Sequence, residues 1–293
     1  MKKIRKIIGL LFAVSCVVSA LYYVKVKMVE DTIPPEITCD KDTIEISVKD
    51  DPSVLMEGLS ASDNRDGDIT DSIRVDSMSH FVNGHKRFVN YVVFDKANLA
   101  GSVTRTVVYK DYTPTKIKVK EPLMYLLRDF PNVNLGENIT ARDCLDGNIS
   151  NQVRTIIGSG FIGDAGIFDL TLQVSNSAGD VRTIPVELTL IDSDDEVSLQ
   201  KEFPLLKDYI LYTKVGKSVN AKDNIRGLWK AGAEYIFTNS EEESVSADDI
   251  SYSTSKVNYN KPGIYTITYA YTAEDAKKAE TKCYVVVEDK VNE

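Results

Sequence analysis

Four carboxylates crowd into nine residues, Asp63, Asp66, Asp68 and Asp71, around the stretch Ala61-Ser-Asp63-Asn-Arg-Asp66-Gly67-Asp68-Ile69-Thr70. Acids so spaced are what a loop would need to hold a hard cation such as Ca2+, which takes six to eight oxygen ligands. The pattern returns 80 residues later as Ala141-Arg-Asp143-Cys-Leu-Asp146-Gly147-Asn148-Ile149-Ser150, and again as Ala221-Lys-Asp223-Asn-Ile-Arg226-Gly227. Acids at the three positions fall from three to two to one along these copies. A shared metal function would keep its ligands in every copy. A turn needs only an Asp that accepts local amide hydrogens and a Gly free to take positive φ. The pattern therefore reads first as turn chemistry. It leaves a weak Ca2+ site at Asp63, Asp66 and Asp68 of the first copy as the surviving metal expectation, and no other cofactor.

Other catalytic chemistry finds little support. His80 and His85 are the two histidines, five apart in a loop-like stretch with no cysteine beside them, a poor match to zinc-ligand spacing. No serine sits in a nucleophile elbow and no glycine loop links a strand to a helix. The chain is expected not to be an enzyme. A better binding candidate is the stretch between Gly227 and Gly263, 36 residues apart where Gly147 and Gly166 of the second copy are 19 apart. It holds Trp229, the sole tryptophan, with Tyr235, Phe237 and the acidic run Glu241-Glu242-Glu243. Exposed aromatics commonly anchor glycans or proteins. The plainer reading has Trp229 and Phe237 filling a core.

The elements that must position these residues are strands. Phe168-Asp-Leu170-Thr-Leu172-Gln-Val174 alternates strictly, Asn176-Ser-Ala-Gly179 turns the chain, and Ile184 to Leu190 returns with the same period. Arg87 to Phe94 with Ser102 to Tyr109, and Tyr265 to Tyr271 with Lys282 to Val287, repeat that hairpin. Shorter strands are expected at Thr43 to Val48, Leu123 to Leu127 and Tyr209 to Lys214. An 80-residue period is the length of one small all-β module. Boundaries fall at Glu30-Asp-Thr-Ile-Pro34-Pro35, Lys110-Asp111-Tyr-Thr-Pro114 and Ile191-Asp-Ser-Asp-Asp-Glu196. This divides the chain into 1–27, 31–111, 112–192 and 197–289. The first two joints, which carry proline, should be stiffer than the third. Cys39, Cys144 and Cys283 fall one to each module, so no module can close a bridge of its own. Cys283 alternates with Val285 and Val287 as a small buried hydrophobe.

The run Asp31-Thr-Ile-Pro34-Pro35-Glu-Ile37, followed by the Asp63 to Thr70 motif and by Asp95-Lys-Ala-Asn98 after an aromatic-rich strand, resembles the bacterial surface immunoglobulin-like modules also found in pesticidal crystal proteins. The second module keeps Asp143, Asp146, Gly147, Ile149 and Asn176-Ser-Ala-Gly179; the third keeps Ala221, Asp223, Gly227 and Gly263-Ile-Tyr265. The resemblance covers about residues 31 to 289 and implies Ig-like sandwiches that act outside the cell as spacers or adhesive modules, without catalysis. The expected fold is all-β, three tandem Ig-like antiparallel β-sandwiches after an N-terminal transmembrane helix.

That helix is the uncharged run Ile7 to Val24, 18 residues or ~27 Å of helix, enough to cross a hydrocarbon core. Four basic residues precede it and two follow, favouring a cytoplasmic N-terminus. Cleavage after Val18-Ser-Ala20 and lipidation at Cys16 are the alternatives, and each of the three exports the remainder. From residue 28 onward 29 basic side chains face 44 acidic ones, a formal charge of −15. Such a body repels nucleic acid. The sequence thus points to a single-pass cell-membrane protein with extracellular modules, bound to the membrane through residues 7–24. Its partner would be a cell-surface glycan or protein, met by a spacer, adhesion or ligand-binding array. A carbohydrate-binding accessory of a surface polysaccharide enzyme system is the alternative.

Overall fold

The computed structural model of the chain describes residues 2–82, 84–158, 163–238, 245–274 and 278–289. A single long helix, Lys2–Val29, precedes a body of short strands. Among the described residues the body holds six sheets, alternately of three and four strands, in three successive pairs.

In the first pair Leu59–Asp63 lies between Glu36–Cys39 and the two-residue strand Gly67–Asp68. The facing sheet runs Thr43–Ile46, Ala100–Tyr109, Lys86–Phe94, Arg74–Met78. Thr43–Ile46 pairs parallel with Ala100–Tyr109, while its other neighbours are antiparallel. The second pair repeats this order. Ile139–Asp143 is flanked by Lys116–Val119 and Gly147–Asn148, and Met124–Leu126 lies parallel to Val181–Ile191, followed by Gly166–Ser175 and Arg154–Ile157. In the third, Ile225–Lys230 lies between Phe203–Leu206 and Ala233–Ile236. Ile210–Lys214 lies parallel to Lys278–Glu288, then Gly263–Thr272 and Ser251–Ser253. Each pair is thus an all-β sandwich in which the chain enters one sheet and crosses to the edge of the other, where it runs parallel to the last strand. The three expected hairpins are present and a little longer than their alternation suggested. The strands opening each sandwich, Glu36–Cys39, Lys116–Val119 and Phe203–Leu206, had no clear signal of their own.

Period-two burial builds the cores. In Lys86–Phe94 the residues Arg87, Val89, Tyr91 and Val93 are buried. In Leu59–Asp63 they are Leu59, Ala61 and Asp63. Arg105 reaches inward yet is satisfied, its Nε donating to the Lys41 carbonyl and its guanidinium to the Glu57 carbonyl and Asp40. Cys283 is fully buried, as its alternation required, and burial pushes its thiol up to about 12.

Two compact units emerge, Met1–Lys110 and Asp111–Glu293. The second unit contains two sandwiches that share one apolar core, in which Val119, Leu123 and Val186 join Leu206, Tyr209 and Ile210. The joint without proline, read from sequence as the looser one, is therefore fixed by side chains instead. The Tyr212 hydroxyl accepts from the Ile117 amide at 2.7 Å and is 2.9 Å from the Ile117 carbonyl, to which it donates. Lys116 and Arg182 lie over its ring, 5.4 and 5.9 Å from the centroid. Arg182 also donates to the Thr115 carbonyl and pairs with Glu288 at 2.7 Å. Tyr212→Phe keeps the ring but strips Ile117 of both partners. It is expected to lower full-chain stability by ~1–3 kcal/mol, read as a fall in the urea midpoint; an unchanged midpoint would show that this contact does not hold the joint.

Candidate functional site

The acidic motif begins on a strand and ends in a turn. Alternation through Leu59, Ala61 and Asp63 turns the Asp63 side chain inward at the end of its strand, leaving it 8% exposed. Its Oδ1 accepts the amides of Arg65 and Asp66, both at 2.8 Å, and these donors hold the carboxyl below the usual range. Gly67 at φ +73° lets the chain reverse. Asp66 accepts the Lys96 amide at 2.7 Å and the Lys96 ammonium at 2.9 Å, which lower its pKa. Asp68 accepts the Thr70 amide at 3.0 Å. The second copy reproduces the turn around Asp143, with Gly147 at φ +71°.

The third copy does not. Lys222–Asn224 is a 3-10 turn with Asp223 exposed, and Gly227 sits within the strand Ile225–Lys230 rather than in a turn. A Cβ there would lie 2.0 Å from the Tyr235 carbonyl, so this glycine permits two backbones to approach and is unrelated to the turn glycines. The 80-residue spacing marks two equivalent loops, not three.

Of the three expected metal ligands, only Asp63 joins a cluster of acids. Among the described residues the group of three whose ligand oxygens lie within 4.8 Å of one another is Asp31, Asp63 and Asp95. The oxygens of Asp66 are instead engaged by Lys96, and Asp68 accepts the Thr70 amide. Asp95 continues the alternation of Arg87, Val89, Tyr91 and Val93 by one further inward position. Its Oδ1 accepts the Leu99 amide at 2.8 Å. Asp31 comes from the segment entering the sandwich, where its Oδ1 accepts the Ile33 amide at 3.2 Å. Extending the two-residue period past Val93 would have found Asp95; Asp31 gave only its place before Pro34-Pro35.

The aromatic candidates separate. Trp229 is 6% exposed and packs edge-on against Phe203, with centroids 5.9 Å apart, in a cluster with Met124, Leu126, Ile191, Leu205 and Ala279. It is a core residue joining the two sandwiches of the second unit. Phe237 is half-buried against the main core. Tyr235 is 57% exposed on the outer strand Ala233–Ile236, beside Ile236 at 46%. The run Glu241 to Glu243 lies outside the described residues. His80 is exposed and His85 half-buried. A cleft of about 140 Å³ is lined by Leu123, Met124, Ile167, Tyr209, Lys282 and Tyr284.

The chain matches no protein-family model and no curated protein. Among solved structures it resembles CBM51-2 in complex with GlcNAc and the INT domains of Clostridium perfringens ZmpB, at 19% identity and a TM-score of 0.22, over 51% of this chain and 26% of that one. It resembles the cadherin domains 1–4 of protocadherin gamma B7 at 11% identity and 0.23, over 87% and 76%. Mouse cadherin-23 EC22–24 gives 10% and 0.18, over 88% and 100%. The chain thus spans about a quarter of the first of these, and TM-scores this low carry no functional weight.

Trp229→Ala should cost ~3–5 kcal/mol through the cavity it leaves, whereas Tyr235→Ala on the exposed strand should stay within ~0.5 kcal/mol of the parent. Urea unfolding of both variants checks this, and equal losses would contradict the assignment.

Proposed function

We propose that this chain is a single-pass membrane protein whose β-sandwich body stands outside the cell as a spacer and ligand-binding element, with no catalysis of its own. One observation carries the reading. The segment Lys3–Lys25 is a helix long and apolar enough to cross a membrane, and none of it is buried by the rest of the protein. A signal sequence would meet the same description, but its apolar run continues past the small-residue stretch Val18-Ser-Ala20 through Leu21 to Val24, and an uncleaved anchor accounts for that continuation. The basic residues Lys2, Lys3, Arg5 and Lys6 favour retention of the N-terminus in the cytoplasm.

A spacer role suits a body built of successive sandwiches whose conspicuous carboxylates are engaged in turns. The partner is proposed to be a surface glycan or protein. Recognition would fall on exposed aromatic strands, Tyr235 and Ile236 on one edge and Tyr252 on another. Edge strands with unpaired backbone groups invite such pairing.

In right-side-out vesicles carrying the full chain, added protease is expected to digest the body while leaving a membrane-embedded N-terminal fragment. Full protection of the body, or recovery of a mature protein beginning at Leu21, would refute the anchored outward orientation.

A further inference from the structure

Where the first two sandwiches end, corresponding strands deliver a buried polar side chain at the same two inward positions. In the second, Asp143 ends Ile139–Asp143 and Asn176 follows Gly166–Ser175; both are buried. In the first, the corresponding side chains are Asp63 and Asp95, 8% and 6% exposed. The turn contacts match atom for atom. Oδ1 of Asp143 accepts the amides of Leu145 and Asp146 as Oδ1 of Asp63 accepts those of Arg65 and Asp66. Oδ1 of Asn176 accepts the Asp180 amide as Oδ1 of Asp95 accepts that of Leu99. Asp146 accepts the Ser177 amide as Asp66 accepts that of Lys96.

The difference lies in the second atom of each side chain. Oδ2 of Asp143 accepts the Thr115 hydroxyl at 2.6 Å and the Asn176 amide at 3.1 Å, and the same amide also reaches the Tyr112 hydroxyl at 2.9 Å. In the first sandwich Asn176 is replaced by Asp95 and Thr115 by Pro35, so both donors are gone. Oδ2 of Asp63 and Oδ2 of Asp95 are each buried and accept no hydrogen bond. Asp31 brings a third carboxylate within 4.8 Å of them. Two ionised carboxylates facing each other without donors would be strongly unfavourable away from water. Arg65 lies 3.8 Å from Asp31 and donates to the Glu30 carbonyl at 3.1 Å, and the Lys96 ammonium is held by Asp66.

We propose that Asp31, Asp63 and Asp95 form a Ca2+ site at this end of the first sandwich. A divalent cation would supply what the Thr115 and Asn176 donors supply in the second, a positive partner for every inward oxygen. The three carboxylates offer all-oxygen ligation in the irregular arrangement that Ca2+ accepts, whereas Mg2+ demands near-octahedral geometry and keeps several waters. The segment that carries Asp31 packs closely on the sandwich. Pro35 is buried, and a Cβ on Gly101 would fall 2.0 Å from its carbonyl oxygen, so the entering chain lies tightly on the strand that begins just after the Asp95 turn.

The test uses the full chain in detergent, stripped with a chelator and titrated calorimetrically with CaCl2, alongside hydrogen exchange with and without the ion. One Ca2+ per chain is expected, with a dissociation constant of about 10⁻⁴–10⁻³ M as in extracellular modules. Slowed exchange should be confined to the segments around residues 31–35, 63–69 and 95–99. Asp95→Asn, which installs the side chain the second sandwich already uses, should fold normally and lose about tenfold or more in affinity, while Asp66→Asn should retain it within about threefold. MgCl2 should bind more weakly. Absence of heat up to about 10 mM Ca2+, unchanged affinity in Asp95→Asn, or loss of affinity in Asp66→Asn with retention in Asp95→Asn would each overturn the proposal.

Discussion

A strand must send every second side chain inward, and in this body that rule runs one residue past the last apolar position. After Val93 comes Asp95, after Ala61 comes Asp63, after Ala141 comes Asp143 and after Val174 comes Asn176, all buried. The sandwich ends are therefore closed by polar side chains that the pleat has delivered there. A buried carboxylate must find donors or a cation, so these ends become the chemically specified places in otherwise aliphatic cores. The turn geometry, the glycines at φ +73° and +71° and the hydrogen bonds from Arg65, Asp66, Leu145 and Asp146 all follow from where that inward position falls.

A second constraint acts between sandwiches within Asp111–Glu293. From sequence, the joint without proline reads as less stiff than the two that carry it. Side-chain contact fixes that joint instead. Tyr212 inserts a hydroxyl against the backbone of Ile117, Arg182 bridges to Glu288, and Trp229 packs with Phe203 and Met124 at the same joint. The first two of these contacts pair residues 95 and 106 positions apart in sequence. No local signal reports them.

What could be read from the sequence follows the same division. Hairpins with strict alternation were visible because their period is local, as were the turn chemistry of Asp63 and Gly67 and the inward position of Cys283. The opening strands were not, since four residues such as Glu36–Cys39 carry too little alternation to separate from loop. The parallel edge pairing of Thr43–Ile46, Met124–Leu126 and Ile210–Lys214 was equally hidden, because register across a sandwich is set by packing. Trp229 shows the limit for function: a lone tryptophan in an insertion suits a binding surface or a core equally until its neighbours are known. The third motif shows a different one. Asp223 and Gly227 stand at the expected spacing, yet the chain there forms a 3-10 turn and then a strand, so residue identity at a fixed interval did not guarantee the same backbone.

The two equivalent loops also show how such a site can diverge without loss of the fold. An aspartate has two oxygens, and here they have separate tasks: Oδ1 fixes the turn in both copies, while Oδ2 faces the partner strand. Asparagine preserves the first task, since its carbonyl accepts the Asp180 amide as Asp95 accepts that of Leu99, and it converts the second from acceptor to donor. Exchange of Asp for Asn at that one position therefore changes the charge of the sandwich end while leaving the hairpin turn intact. With Pro35 in place of Thr115 the remaining donor is lost as well. The backbone hydrogen bonds tolerate either solution, so the chemistry at the end of each sandwich is set by two side chains and not by the architecture that carries them.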